Sequence, residues 1–251
     1  MYWFEDKKPS TKKIVTSYLK DWLDLLEKAR DNPVQDNLNS LYIHIIRMKE
    51  KLDKIQIEMS LPEPKIDLAF YNKHIKGSMT MIERSKMILE YSITAINQDK
   101  VKIRRTQKGA KDKYTEMKKL ENADPSIRFS KLGKLIDKIS KIKELQKDLL
   151  EDYQYTITEL NQILKNRKKN KDREFPDKEY RIEENDIIKE LNKNIRKFED
   201  AIKKLEQLYQ GNENVKEYSS FLSEIENTLN NVLDKNVRSK KKEIELQSPY
   251  C

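Results

Sequence analysis

Apolar residues recur along this chain in alternating steps of three and four, and the longest such series lies between residues 75 and 121. These steps place apolar side chains on one side of an α-helix and are typical of a coiled-coil seam. The apolar seam positions are Ile75, Met79, Ile82, Leu89, Ile93, Ile96, Ile103, Ala110, Tyr114 and Met117. Polar side chains interrupt the seam at Lys86, Lys100 and Gln107. Because no proline occurs here, we predict one helix over about residues 65–121.

Shorter series of the same kind predict further helices on both sides of this segment. We expect a first helix over residues 11–30, a second over about 38–60 and another long helix over about 125–166. Two more seams lie at residues 188–209 and 215–232.

The breaks between these helices carry proline. The segment Leu61-Pro62-Glu63-Pro64 either reverses the chain or kinks it, since proline allows both. At residues 122–126, Asp124 can cap a helix and Pro125 suits a first helical position. A turn this short makes the two long helices antiparallel.

The predicted fold class is therefore all-α, an elongated antiparallel bundle or coiled coil of long helices. We expect one elongated helical domain over residues 1–235, with a long hairpin at about 65–166 and a C-terminal helical pair at about 183–235. Residues 236–251 read as a basic, flexible tail. The composition agrees with this: 38% of residues are charged, and only 4 are glycine.

The net charge of +9 favours polyanionic partners such as phospholipid headgroups or nucleic acid. Cys251 is the one cysteine, so no intrachain disulfide can form. We find no signal peptide and no apolar run near the 18 or so residues of a membrane span. These features predict a cytoplasmic protein that can associate peripherally with a membrane.

The chain shows no pattern of catalytic or metal-ligating residues. His44 and His74 lie in different predicted helices, and neither has a cysteine or acidic partner at metal-ligand spacing. Glycine-rich phosphate loops and nucleophile motifs are absent. We therefore expect no enzymatic activity, no metal and no cofactor.

The informative cluster is basic. Between residues 100 and 119 there are nine Lys or Arg residues and two acids, Asp112 and Glu116. At 100° per residue, six of the nine lie within an arc of about 100° beside the seam, and neither acid does. These six, the basic stripe, are Lys100, Arg104, Lys108, Lys111, Lys118 and Lys119. Such a stripe suits an anionic surface.

A second basic group lies in residues 165–174, which we predict to be a loop because their apolar periodicity is lost. Its candidate lipid-binding residues are Lys165, Arg167, Lys168 and Lys169.

Residues 100–164 resemble the middle of a BAR-superfamily domain. The order is a basic long helix (VKIRRTQKGAKDKYTEMKKLE), a short tip (NADPS) and a second long helix with a broken heptad pattern. The resemblance implies an antiparallel hairpin that dimerises and binds anionic membranes through lysine and arginine. Two features depart from the family: five or six helical segments instead of three, and the basic break at residues 165–176.

Three functions fit this pattern. The first is a non-enzymatic, homodimeric module that senses or shapes anionic membranes. The second is a coiled-coil scaffold or adaptor that receives a helix of a partner protein. The third, less favoured, is a nucleic-acid-binding helical protein, because Tyr114 lies in the seam and not among the exposed lysines.

Overall fold

A computed structural model describes residues 11–62, 66–119, 125–169 and 181–211, together with Asn227. Over these residues the chain is all-α and has no β-strand, which confirms the all-α part of the prediction. The elements in chain order are α1 (Thr11–Asp31), α2 (Gln35–Glu58), α3 (Leu68–Phe70), a π-helix (Tyr71–Lys76), α4 (Gly77–Lys118), α5 (Pro125–Lys169), a 3₁₀ helix (Ile182–Glu184) and α6 (Asp186–Gly211). The seam at residues 215–232 and the tail at 236–251 lie outside the described part of the chain.

The chain divides into two compact units, and each contains one part of α4 and one part of α5. Unit 1 comprises residues 1–97 and 151–188, and unit 2 comprises residues 98–150 and 189–251. Each core is therefore built from segments that are far apart in the sequence.

In unit 1, α2 runs antiparallel to α4. Tyr42 Oη donates a hydrogen bond to Glu90 at 2.9 Å, and Lys49 forms an ion pair with Glu83. The later residue of α2 thus pairs with the earlier residue of α4. The chain therefore reverses direction between α2 and α4, which decides between the reversal and the kink that the sequence leaves open.

The C-terminal part of α5 also lies against α4 in unit 1. Arg84 forms an ion pair with Glu159 at 2.7 Å, and the rings of Tyr91 and Tyr155 meet edge to face with centroids 5.4 Å apart. Rising numbers on α4 match falling numbers on α5, so these segments are antiparallel, as predicted.

Helix α1 completes unit 1. Its buried residues fall at steps of three and four along one face: Val15, Leu19, Trp22, Leu26 and Ala29. His44 Nε2 donates a hydrogen bond to the Tyr18 carbonyl oxygen at 3.0 Å and joins α1 to α2. This contact gives His44 a structural role.

From Ile75 to Ile103, every second seam position differs from its prediction by one residue, whereas Gln107, Ala110, Tyr114 and Met117 are buried where they were predicted. Ile75, Ile82, Leu89, Ile96 and Ile103 are buried as expected. The alternate positions are Ser78, Ser85, Ser92 and Asp99, all buried, whereas Met79, Lys86, Ile93 and Lys100 are only partly buried.

Hydrogen bonds of the hydroxyl groups explain why serine is tolerated at positions 78 and 85. Ser78 donates to the His74 carbonyl oxygen at 2.8 Å, and Ser85 donates to that of Met81 at 2.7 Å. A buried hydroxyl satisfied by its own helix costs little, and its small size lets a neighbouring helix approach closely.

In unit 2, α6 packs on the paired segments of α4 and α5. One core cluster contains Ala110, Tyr114 and Met117 of α4, Leu132, Leu135, Ile139 and Ile142 of α5, and Phe198, Ile202 and Leu205 of α6. This cluster confirms that the seam at residues 188–209 belongs to a helix.

Two helix ends differ from the prediction. The long helical run begins at Leu68 and not near residue 65, because Asp67 caps it by accepting a hydrogen bond from Phe70 N at 2.8 Å. Helix α5 continues to Lys169, so residues 165–169 are helical and the predicted loop is wrong there. Lysine and arginine are good helix formers and do not need an apolar partner to extend a helix.

Candidate anionic-surface binding face

The excess positive charge of the chain is concentrated in unit 2. Residues 98–119 carry nine basic and three acidic side chains, residues 125–150 carry seven and three, and residues 189–211 carry six and four. Basic residues therefore outnumber acidic residues on all three helices of this unit.

Unit 1 is close to neutral by comparison. Residues 11–62 carry nine basic and eight acidic side chains, and residues 66–97 and 151–169 each carry four and three. Residues 181–188 carry one and three. The two units therefore differ in their balance of basic and acidic residues.

The structure places the whole basic stripe in unit 2. Lys100 is partly buried, and the other five side chains, Arg104, Lys108, Lys111, Lys118 and Lys119, are exposed. Their exposure follows from the helix period, because Ile103, Ala110 and Tyr114 point into the core from the adjoining side of α4. The Lys118 ammonium lies 5.4 Å from the centroid of the Tyr114 ring, a cation–π contact that covers this buried tyrosine.

One of the acids on α4 is already compensated. Lys113 Nζ donates to both oxygens of Glu116 at 2.8 Å, and Lys131 Nζ of α5 donates to it at 3.0 Å. These hydrogen bonds, that of Lys113 first, lower the pKa of Glu116 to about 2. The carboxylate stays ionised at neutral pH, and two ammonium groups offset its charge.

Helix α5 contributes basic residues that the sequence analysis missed. Lys134, Lys138 and Lys141 are all exposed, and their spacing of four and three places them on one flank. A Cβ atom at Gly109 would lie 3.8 Å from Lys138 Cε, so this flank adjoins α4. A search for basic residues at helical spacing, not only for local density, would have found them.

These residues form the candidate site. We define the basic face of unit 2 as the basic stripe of α4 together with Arg105, Lys134, Lys138 and Lys141. Arg104, Arg105, Lys108 and the three α5 lysines have no ion pair or hydrogen bond within the described residues. Six cations without internal partners favour an external anion.

The second predicted group does not join this face. Lys165 is exposed on α5 but belongs to unit 1. Arg167, Lys168 and Lys169 also belong to unit 1 and lie in the last turn of α5, where only the backbone is described.

Unit 1 has an open groove of about 700 Å³ between α2 and α4. Leu52, Met79, Ile82 and Met87 form its apolar lining, and Lys49 and Glu83 pair at its edge. Met87 remains 61% exposed. The size and lining suit a ligand or an apolar helix face.

No group of three or more His, Cys, Asp or Glu side chains among the described residues could hold a metal ion. None of the described helices is both long and apolar enough to cross a bilayer.

The fold and the site together define an all-α protein with a basic helical face. No protein-family model matches the chain, and neither a curated protein nor a solved structure matches it at a significant level.

Proposed function

We propose that the protein is a non-enzymatic module that binds anionic membranes through the basic face of unit 2. The observation that carries the proposal is the concentration of unpaired basic side chains on neighbouring flanks of α4 and α5. Each basic group near an anionic bilayer contributes about 1 kcal/mol, so a face of this size supplies enough attraction for peripheral binding.

Co-sedimentation with phosphatidylserine vesicles tests the proposal. Reversing Lys108 and Lys111 to glutamate should weaken binding by about 30-fold or more, since two contributions of about 1 kcal/mol are lost and repulsion is added. The matched control is Lys20→Glu with Lys54→Glu, two exposed residues of unit 1 that change the net charge equally.

The control pair should bind nearly as well as the unmodified chain. Equal losses in the two pairs would mean that only net charge matters, and the basic face would then have no special role. Binding that is indifferent to the phosphatidylserine content of the vesicles would reject the proposal.

The resemblance of residues 100–164 to BAR domains adds a homodimer to this proposal. The antiparallel pairing of α4 and α5 supports it. Lys86 and Lys100 do not bear on it, because the buried seam positions are the neighbouring Ser85 and Asp99. Sedimentation equilibrium should give twice the chain mass of 30.1 kDa. A monomer at micromolar concentration would remove the dimer and leave the lipid-binding face to be tested alone.

The groove in unit 1 favours a second candidate function, a scaffold that receives an amphipathic helix of another protein. Met87 lines it and is 61% exposed. A photo-crosslinker at position 87, in a Cys251→Ser background, should trap a purified candidate partner, whereas one at Ile43, which is 50% exposed and does not line the groove, should not. Capture from both positions alike would contradict a groove-specific partner.

Nucleic acid is the third candidate and is less well supported. Tyr114 is the one aromatic residue of α4 within unit 2, and it is 6% exposed. The exposed lysines of α4 thus have no stacking partner on their own helix. A steep salt-dependent shift of single-stranded RNA by the protein would reverse this order.

A further inference from the structure

The point where Lys138 meets α4 has an unusual residue, a glycine in the middle of a long helix. Glycine at such a position destabilises a helix by about 1 kcal/mol relative to alanine. An alanine Cβ at Gly109 would make only an ordinary contact with Lys138 Cε, at 3.8 Å. Close packing therefore does not require glycine here.

What the glycine does provide is partly exposed backbone between cations. Arg105 lies one helical turn before Gly109, and Lys108 is its neighbour in sequence. Lys138 lies against this surface from α5.

The pairing register places Lys141 close by as well. The pairs Glu116–Lys131 and Gly109–Lys138 show that a step forward on α5 matches a step back on α4. Lys141, three residues after Lys138, therefore lies near the level of Arg105. Arg105, Lys108, Lys138 and Lys141 thus lie around one partly exposed stretch of α4.

Four cations this close repel one another, and an anion that bridges them removes the repulsion. A single phosphate can reach one or two of them, whereas adjacent phosphates can reach all four. Arginine adds a planar fork of donors that matches phosphate oxygens.

We infer that the surface around Gly109 is a binding site for closely spaced phosphate groups, which Arg105, Lys108, Lys138 and Lys141 hold. This inference rests on the proposed function, because it names the ligand chemistry that the basic face prefers. The phosphates can belong to a multiply phosphorylated lipid headgroup or to a free polyphosphate.

The first experiment measures tripolyphosphate and orthophosphate binding to the full chain by calorimetry at equal ionic strength. Tripolyphosphate should bind at least tenfold more tightly. In Arg105→Gln with Lys138→Gln, tripolyphosphate affinity should fall about tenfold or more, since two charge-assisted hydrogen-bonding groups are lost. Lys193→Gln with Lys203→Gln, two exposed residues of α6 outside the basic face, removes the same charge from the same unit and should change it by less than threefold.

A second variant removes no charge. Gly109→Gln covers the open backbone at a partly exposed position, and the preference for tripolyphosphate over orthophosphate should fall severalfold while the helix is retained. Circular dichroism checks that each variant is folded.

The second experiment separates the two sources of phosphate. Vesicles with a bisphosphorylated inositol lipid are compared with phosphatidylserine vesicles of equal total charge. Preference for the inositol lipid that Arg105→Gln with Lys138→Gln abolishes would assign a headgroup. Equal binding to both vesicles, with tripolyphosphate still preferred, would assign a free polyphosphate.

Two results would overturn the inference. One is equal affinity for tripolyphosphate and orthophosphate, and the other is an equal loss in the Lys193/Lys203 pair. Both leave the proposed function standing if phosphatidylserine vesicles still bind and the Lys108/Lys111 reversal still releases them.

Discussion

Lys131 on α5 donates a hydrogen bond to Glu116 on α4 at 3.0 Å. The two residues are 15 positions apart in the sequence, and their contact joins the two helices. With Lys113, it lowers the pKa of the Glu116 carboxyl to about 2. The carboxylate therefore stabilises the folded state at neutral pH, although solvent and salt screen exposed pairs of this kind.

Glu116→Gln should lower stability at pH 7, and the difference should disappear in acid. A carboxyl whose folded-state pKa is depressed contributes fully above its ordinary value of 4.5 and loses that contribution as the pH falls to about 2. Urea unfolding of both proteins between pH 7 and pH 2 measures this window. A Glu116 carboxyl that titrates near 4.5 by NMR would contradict the ion-pair geometry.

Ser92→Ala should raise the free energy of unfolding by about 1 kcal/mol. The buried Ser92 hydroxyl has no hydrogen-bond partner within the described residues, and alanine is the better helix former. Ser85→Ala is the matched control, because it removes a hydroxyl that is bonded to Met81 at 2.7 Å and should gain less.

The same position tests the corrected seam. Ser92→Leu should destabilise by about 1–3 kcal/mol through overpacking, whereas leucine at the partly buried Ile93 should be tolerated. The opposite order in urea denaturation would restore the seam that the apolar pattern predicts.

Gly109→Ala and Gly133→Ala should each stabilise the chain by about 1 kcal/mol. Neither glycine has a positive φ, a Cβ at Gly133 would meet nothing within 4 Å, and one at Gly109 would make an ordinary contact. Thermal unfolding of the two single variants measures the gain. A loss confined to Gly109→Ala would show that Lys138 packs more tightly against α4.

Trp22→Ala should cost about 3–5 kcal/mol, because this side chain is fully buried in unit 1. Trp22→Phe should cost clearly less. It keeps most of the apolar contact and removes an indole N–H that has no partner among the described groups. Similar losses in both variants would indicate that the indole N–H is bonded after all.

The sequence pattern predicted the helices well because helix formation is a local property. The steps of three and four located α1, α2, α4, α5 and α6 to within a few residues. Pro125 was correctly placed at the first position of α5. Lys165 to Lys169 were misplaced in a loop, since the loss of an apolar stripe was taken as the end of a helix.

The candidate site was predicted only in part. The basic stripe of α4 was visible because its residues are dense in one segment, and its exposure in unit 2 agrees with the prediction. Lys134, Lys138 and Lys141 were missed because their significance depends on the contact of Lys138 with Gly109, about 30 residues away in the sequence.

The sequence by itself determined that this protein is all-α, where its helices lie, and that it carries an excess of positive charge. Helix formation depends on residues that are close in the sequence, and the net charge depends only on how many basic and acidic residues there are. The tertiary structure alone decided that Ser92, not Ile93, enters the core, that the chain reverses before α4, and that the charge gathers in one unit. The physical reason is that burial depends on how closely a second helix packs against the first. The sequence of one helix does not specify that distance.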